Sequence, residues 1–284
     1  MDVSSASFIP RRVSGAEEAR QVMAREGAAI VTGLADEAAA VAFGAQVMGD
    51  RSVRIGTQFE ATKANNRAEA MVVDAQPADK HGRKRDFGTS EERMIAHNDG
   101  FAFGDYAPDH LFLWCERPAA AGGDSFLIDT ARLLDLLAAD PEHADLADFC
   151  RTVDIDHSEP NYPQGTFAPI ARRTPSGRHQ GRFHPWQAPV EGTAHEAEHW
   201  AFVRRWESAV VAARDTGPMF RVEAGEMMCV DNYRVLHGRD GHSDPSRKVC
   251  SIWGWSTDAV AIPDGPLDIV VPKIPKTPKL PLSA

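Results

Sequence analysis

No apolar run in the 284-residue sequence approaches the roughly 20 residues of a membrane span. The opening stretch MDVSSASFIPRR also lacks the hydrophobic segment of a signal peptide, so a cytoplasmic protein with no membrane partner is expected. Basic residues are in deficit: 31 Lys and Arg stand against 41 Asp and Glu, a formal net charge of −10. A surface that is acidic on average is poorly suited to neutralising phosphates, which argues against a general nucleic-acid binder. Cysteine is scarce. Cys115, Cys150, Cys229 and Cys250 are far apart, form no CxxC pair and mostly lie in apolar runs such as FLWCE and EMMCVD. Buried reduced thiols are the expectation. What is abundant is apolar material, 43% of the residues, enough for a sizeable core in a globular protein.

The N-terminal flank, residues 1–60, is rich in helix signals. A helix through AEEARQVMAREG, with Ser14 as its cap, leads into a buried strand AAIVTG and a second helix through DEAAAVAFGAQVM. Residues 60–93 have little periodicity and carry the basic run KHGRKR at 80–85, the pattern of a long, lid-like loop. From about residue 94 come short β-prone runs: RMIAH, DHLFLWCE, DSFLID, TVDIDHS, TFAPIARR, MFRVEA, EMMCVD and KVCSIWGWS. Such spacing, broken by Gly, Pro and Asp, predicts a mainly β protein built on a jelly-roll core, a double-stranded β-helix of the cupin type. Helical insertions are expected at about 129–150 and 193–214, and an extended proline-rich tail at 262–284. The whole chain is read as one domain.

Two histidine-containing motifs compete for the chemistry. HEAEH at 195–199 matches the HExxH pattern of zinc peptidases, where two histidines a helical turn apart hold the metal and the glutamate activates water. On a helical wheel His195 and His199 share a face with Phe202, Trp206 and Val210, so they are expected to be partly buried packing residues. His195, however, lies in the first turn after Gly192, Glu198 places a charge where peptidase helices carry a neutral residue, and no third ligand follows in pattern. The second motif, AHNDG at 96–100, places His97 and Asp99 two residues apart, on one face of an extended segment. His237, after the apolar run EMMCVD and a short turn, is placed to be a third ligand. Two histidines and a carboxylate on one face of an octahedral ion are the arrangement of non-haem Fe(II) oxygenases.

The segments HNDGFAFGDYAPDHLFLWCERPAAAGGDSFLID and VDNYRVLHGRDGHSDPSRKVCSIWGW, with a variable stretch between them, resemble the taurine dioxygenase-like (TauD/TfdA) family of Fe(II)- and 2-oxoglutarate-dependent oxygenases. The early GAAIVTGL is similar to that family's N-terminal strand. The resemblance implies that His97, Asp99 and His237 bind Fe(II), with 2-oxoglutarate and O2 as cosubstrates. It implies that Ser125, in GGDS, touches the 2-oxoglutarate tail and that Arg247 pairs with its far carboxylate, a bidentate charge-assisted contact. Alternation in RKVCSIW supports this, since Arg247, Val249, Ser251 and Trp253 share a face. Ser251 stands where the taurine enzyme has a second, substrate-binding arginine, which argues against an alkylsulfonate substrate. Asp99 fills the carboxylate position, which disfavours halogenation.

The resemblance implies a small-molecule substrate, with hydroxylation as the default outcome and natural-product biosynthesis as the expected setting. Candidate residues of the substrate wall are Gln58, Phe59, Arg93, Arg182, His184 and Trp186, and the 80–85 run could close over an anionic substrate. The oligomeric state is left open, a homodimer included. A cupin-type binding protein with a structural or lost metal site is the alternative from a different class.

Overall fold

The computed structural model describes residues 2–62, 93–159 and 166–271. The basic run at 80–85 and nearly all of the expected lid lie outside the described residues, as does most of the proline-rich tail.

Two sheets face each other. The larger has the order β1-β2-β12-β5-β14-β3, formed by β1 (Arg11–Val13), β2 (Ala28–Val31), β12 (Met227–Asp231), β5 (His110–Arg117), β14 (Lys248–Ser256) and β3 (Ser52–Thr57). The smaller has the order β4-β13-β6, formed by β4 (Met94–His97), β13 (Val235–Arg239) and β6 (Ser125–Asp129). Short strands β7 (Asp154–Asp156), β8 (Phe167–Pro169), β9 (Ala171–Arg173), β10 (His179–Gly181) and β11 (Ala188–Pro189) form two subsidiary sheets. This is a distorted double-stranded β-helix with helical insertions.

Strand alternation explains what lies between the sheets. Successive side chains point to opposite faces. On the larger sheet Ile30, Leu111, Met228, Val230, Trp253 and Trp255 join one buried cluster with Leu127 and Val235 of the smaller sheet. Their neighbours Ala29, Val31, Phe112, Trp114, Met227, Cys229 and Ile252 pack outward in a second cluster with α1 (Ala16–Glu26) and α2 (Glu37–Met48). On the far side of the smaller sheet, Phe126, Ile128 and Leu236 meet α4 (Thr130–Ala139), α5 (Ala144–Thr152) and α6 (Glu196–Thr216). His237 and Ser125 therefore share the interior face with Val235 and Leu127. Gly238, between His237 and Arg239, must be glycine: a Cβ there would lie 2.3 Å from the Phe126 ring.

Several local expectations are corrected. Gly15, not Ser14, precedes α1 at the N-cap position, and no side chain caps that helix. Asp36 does cap α2, accepting from the Ala39 N–H at 2.8 Å. The insertion at 129–150 is two helices, broken at Asp140–Pro141 where proline removes a donor. MFRVEA forms no strand; it contributes one bridge, Ser125 to Phe220. The four cysteines are free, three buried and Cys250 partly so. Among the described residues no helix is long and apolar enough to cross a membrane.

Candidate metal and cosubstrate site

His97 ends β4 and lies directly opposite His237 of β13, so the antiparallel register brings the two rings together with centroids 4.2 Å apart. Asp99 follows two residues past the strand end. Its Oδ1 lies 3.2 Å from His97 Nε2 and 3.5 Å from His237 Nε2. The ligand atoms of all three residues fall within 4.8 Å of one another. The histidines are buried, and the Asp99 side chain is 15% exposed.

The donor chemistry fits a divalent metal such as Fe(II). His97 Nδ1 lies 2.9 Å from the Ile95 carbonyl, so the proton is assigned there and Nε2 is left bare toward Asp99. Burial, reinforced by the neighbouring His97 ring, pushes the His237 imidazole down to about 3, so it is neutral and able to ligate near neutral pH. Burial would raise the Asp99 carboxyl. The adjacent His97 and His237 rings and the Trp253 N–H outweigh it and hold the group well below the usual carboxylate range.

The turn carrying Asp99 is clamped by two buried asparagines that sequence reasoning passed over. Asn232, in the β12–β13 turn, accepts the Asp99 N–H at 3.0 Å through Oδ1, and its Nδ2 donates to the Asp99 and Pro108 carbonyls at 3.0 and 2.7 Å. Asn98 donates to the Asn232 carbonyl at 2.7 Å and accepts from the Phe183 N–H at 3.1 Å. Gly100 then turns the chain at φ 71°, against Pro108, where a side chain would be strained and crowded. The only sequence signal was the Asn residues themselves, set between the two ligands at 98 and five residues before His237.

Ser125 and Arg247 line one pocket, together with Leu113, Gly123, Met228 and Val249. Ser125 is two residues along β6 from Leu127, the partner of His237, which sets it about 7 Å along the sheet from that ligand. Among the described residues no carboxylate pairs with Arg247, and burial lowers the pKa of its guanidinium. Arg239, buried opposite Ser125, is pushed down to about 10 by burial and by Arg247.

The other candidates are dispersed. Arg93 pairs with Asp240 at 2.6 Å, and its side chain is 49% exposed. Gln58 is exposed and Phe59 half-buried on α3 (Gln58–Thr62), just past Thr57, which faces Ile252 across the β3–β14 pair. His184 and Trp186 are buried and pack on Phe101, two residues beyond Asp99, with His184 stacked at 4.0 Å. Arg182 is buried, donating to Pro169 O and Gln180 Oε1. The HEAEH motif does not form a buried pair. His195 precedes the first helical residue of α6 and its side chain is 70% exposed, bonded to Glu198. Only His199, against Phe149, is partly buried. The His195 and His199 rings do share a side of the helix, 6.0 Å apart, but His195 is the N-cap at the exposed end of α6, where its side of the helix has no core to face.

The sequence model of the family described as "Taurine catabolism dioxygenase TauD, TfdA family" matches residues 3–253. The chain belongs to the TauD/TfdA family. It is accordingly a 2-oxoglutarate-dependent non-haem iron dioxygenase, with Fe(II) and 2-oxoglutarate as cofactor and cosubstrate. Similar solved structures include an asparagine oxygenase in complex with Fe(II), 2S,3S-3-hydroxyasparagine and succinate. It is 20% identical, with 86% of this chain and 78% of that one covered and a TM-score of 0.57. AAD-2 in complex with Mn(II) and N-oxalylglycine is 11% identical, covering 89% and 98%, with a TM-score of 0.60. The non-haem iron oxygenase OrfP, in complex with Fe and alpha-ketoglutaric acid, is 14% identical, covering 85% and 78%, with a TM-score of 0.53. At these identities the likeness bears on the fold. No curated protein sequence matches the chain.

Proposed function

We propose that this TauD/TfdA dioxygenase hydroxylates a small organic molecule, with His97, Asp99 and His237 holding Fe(II) and with Ser125 and Arg247 receiving the far carboxylate of 2-oxoglutarate. The observation that carries the reading is the convergence of two imidazoles and one ionised carboxylate on the interior face, next to a pocket holding an arginine that pairs with no carboxylate among the described residues. Three ligands on one face leave room for the cosubstrate's keto acid end and for O2. Iron held there would activate O2, which is the oxidant. The balance is substrate C–H, 2-oxoglutarate and O2 giving substrate C–OH, succinate and CO2.

This chain's residues bind and orient. Asp99 turns Oδ1 toward the two histidine rings, Asn98 and Asn232 fix the turn that presents it, and Arg247 offers a planar fork to a carboxylate. Ser251 in place of a second arginine removes the cation that would hold a sulfonate, so an alkylsulfonate is not the substrate under this reading. Asp99 leaves no ligand position for a halide. We place the activity in natural-product biosynthesis and read the chain as one catalytic domain.

The test is a comparison of small-molecule extracts incubated with O2, Fe(II), ascorbate and 2-oxoglutarate, with and without the enzyme. A product heavier by one oxygen, formed with stoichiometric succinate and abolished by Asp99→Ala, is expected. Iron binding with no 2-oxoglutarate turnover under any extract would favour the cupin-type binding protein instead.

A further inference from the structure

Asp99 has two oxygens in different surroundings. Oδ1 faces the two histidine Nε2 atoms. Oδ2 is taken up by two donors from β14: the Trp253 indole N–H at 2.8 Å and the Ser251 hydroxyl at 3.1 Å. The donors are two residues apart, so strand geometry presents both to the interior. They are also rigidly placed, since β14 pairs with β5 on one side and β3 on the other. The Trp253 ring is braced edge-on by Phe103 and Trp255, with centroids 6.1 and 6.4 Å away. Backbone hydrogen bonds to Asn232 hold the other end of Asp99. Rotating the carboxylate to offer both oxygens to one ion would break both β14 contacts.

We propose that Trp253 and Ser251 are positioning residues that hold Asp99 as a one-oxygen ligand, so that none of the three open positions on the metal is filled by a chelating carboxylate. The proposal rests on the iron-site reading above. It also gives Ser251 a role of its own: where the taurine enzyme turns an arginine toward substrate, this chain turns a hydroxyl toward the metal ligand. Outer partners of metal ligands set ligand orientation, and their loss typically weakens metal binding about 10- to 100-fold.

Co(II) serves as the probe, because its visible absorption reports coordination number and its affinity can be titrated without turnover. Trp253→Phe keeps the ring and removes only the N–H. Trp114→Phe is the matched control, since its N–H goes to the Leu34 carbonyl at 3.3 Å on the outward face of the sheet and not to Asp99. Trp253→Phe and Ser251→Ala should each alter the Co(II) spectrum, with affinity about 10- to 100-fold weaker in Trp253→Phe. Ser251→Thr, which restores a hydroxyl, and Trp114→Phe should keep the wild-type spectrum. Circular dichroism establishes that each variant is folded, and Ser251→Ala carries the test if Trp253→Phe is not. A wild-type Co(II) spectrum in folded Trp253→Phe, or in Ser251→Ala if Trp253→Phe does not fold, overturns the proposal. If Asp99→Ala leaves the wild-type spectrum unchanged, or the wild type binds no Co(II), the iron-site reading itself falls and this proposal with it.

Discussion

Replacing Arg247 with alanine separates binding from folding in a way that tests the cosubstrate pocket directly. The guanidinium lines the pocket with Ser125, burial lowers its pKa, and among the described residues no carboxylate pairs with it. The segment's anchor to the loop before it, Arg247 N–H to the Asp244 carbonyl at 3.2 Å, is a backbone contact and survives the change. Loss of a charged hydrogen-bonding partner for a carboxylate in a semi-buried site costs about 2 to 4 kcal/mol. That converts to 2-oxoglutarate binding weaker by about 30- to 700-fold. Folding stability should move the other way or not at all, because a desolvated cation with no carboxylate partner among the described residues is replaced by an apolar side chain. Arg247→Met, which keeps the stem, makes this second arm cleaner. Arg247→Lys should fall between wild type and alanine, keeping the charge but losing the fork. Calorimetric titration of 2-oxoglutarate into Co(II)-loaded protein without oxygen gives the affinity, and urea unfolding gives the stability. Unchanged 2-oxoglutarate affinity in Arg247→Ala refutes the reasoning and moves the role to another cation, with Lys248 and Arg239 next. A large stability loss with unchanged affinity would make Arg247 a structural residue.

Asp99→Ala should abolish oxygenation, whereas the double change His195→Ala with His199→Ala should leave iron binding and 2-oxoglutarate decarboxylation intact. Metal content and succinate yield per folded molecule check this, and a double variant that loses its metal reverses the assignment. Asn232→Leu removes three buried hydrogen bonds at a net of about 1 kcal/mol each, so unfolding free energy should drop by about 3 kcal/mol. A urea midpoint within error of wild type would show that the clamp contributes nothing. His157 is fully buried with its Nε2 toward the Ala168 carbonyl, and burial pushes it down to about 3. Its folded pKa is depressed below the unfolded value, so between pH 6.5 and 3 the unfolded chain binds a proton that the folded chain does not. Stability is therefore lost as pH falls through that window, by about 1.4 kcal/mol per pH unit from this group. His157→Gln should flatten the pH dependence of unfolding free energy by that amount near pH 5, and an unaltered slope would refute the assignment.

Much of the interior was legible because it follows from a period of two. Once KVCSIWGWS and EMMCVD are strands, alternation alone sends Ser251 and Trp253 inward and Ile252 outward, and this is where they lie. The spacing of His97 and Asp99 was equally readable, but its context is a strand end followed by a turn. Asp99 reaches the shared site because Asn232 holds the turn, not because the strand continues through it. That contact spans 133 residues, and Asn98 to Asn232 spans 134. No local pattern encodes either. The helical wheel placed His195 inside by continuing the buried face into the expected start at about 193, whereas the helix begins at Glu196 and His195 is its exposed N-cap. Periodicity thus tells which face a residue takes within an element, while ends and turns are decided by distant partners.

The depth of a side chain on a face is a further quantity that alternation does not supply, and at this site it separates roles. Arg247, Val249, Ser251 and Trp253 were expected to share one face, and the structure divides that face into two tasks. Arg247 and Val249 line the pocket with Ser125, while Ser251 and Trp253 meet Asp99. A strand advances about 3.3 Å per residue, so Arg247 and Trp253, at the extremes of the two pairs, lie about 20 Å apart along it. One strand therefore serves both the cosubstrate end and the metal end of the site. A change at Ser251 should accordingly be felt at the metal before it is felt by 2-oxoglutarate, and a change at Arg247 in the reverse order.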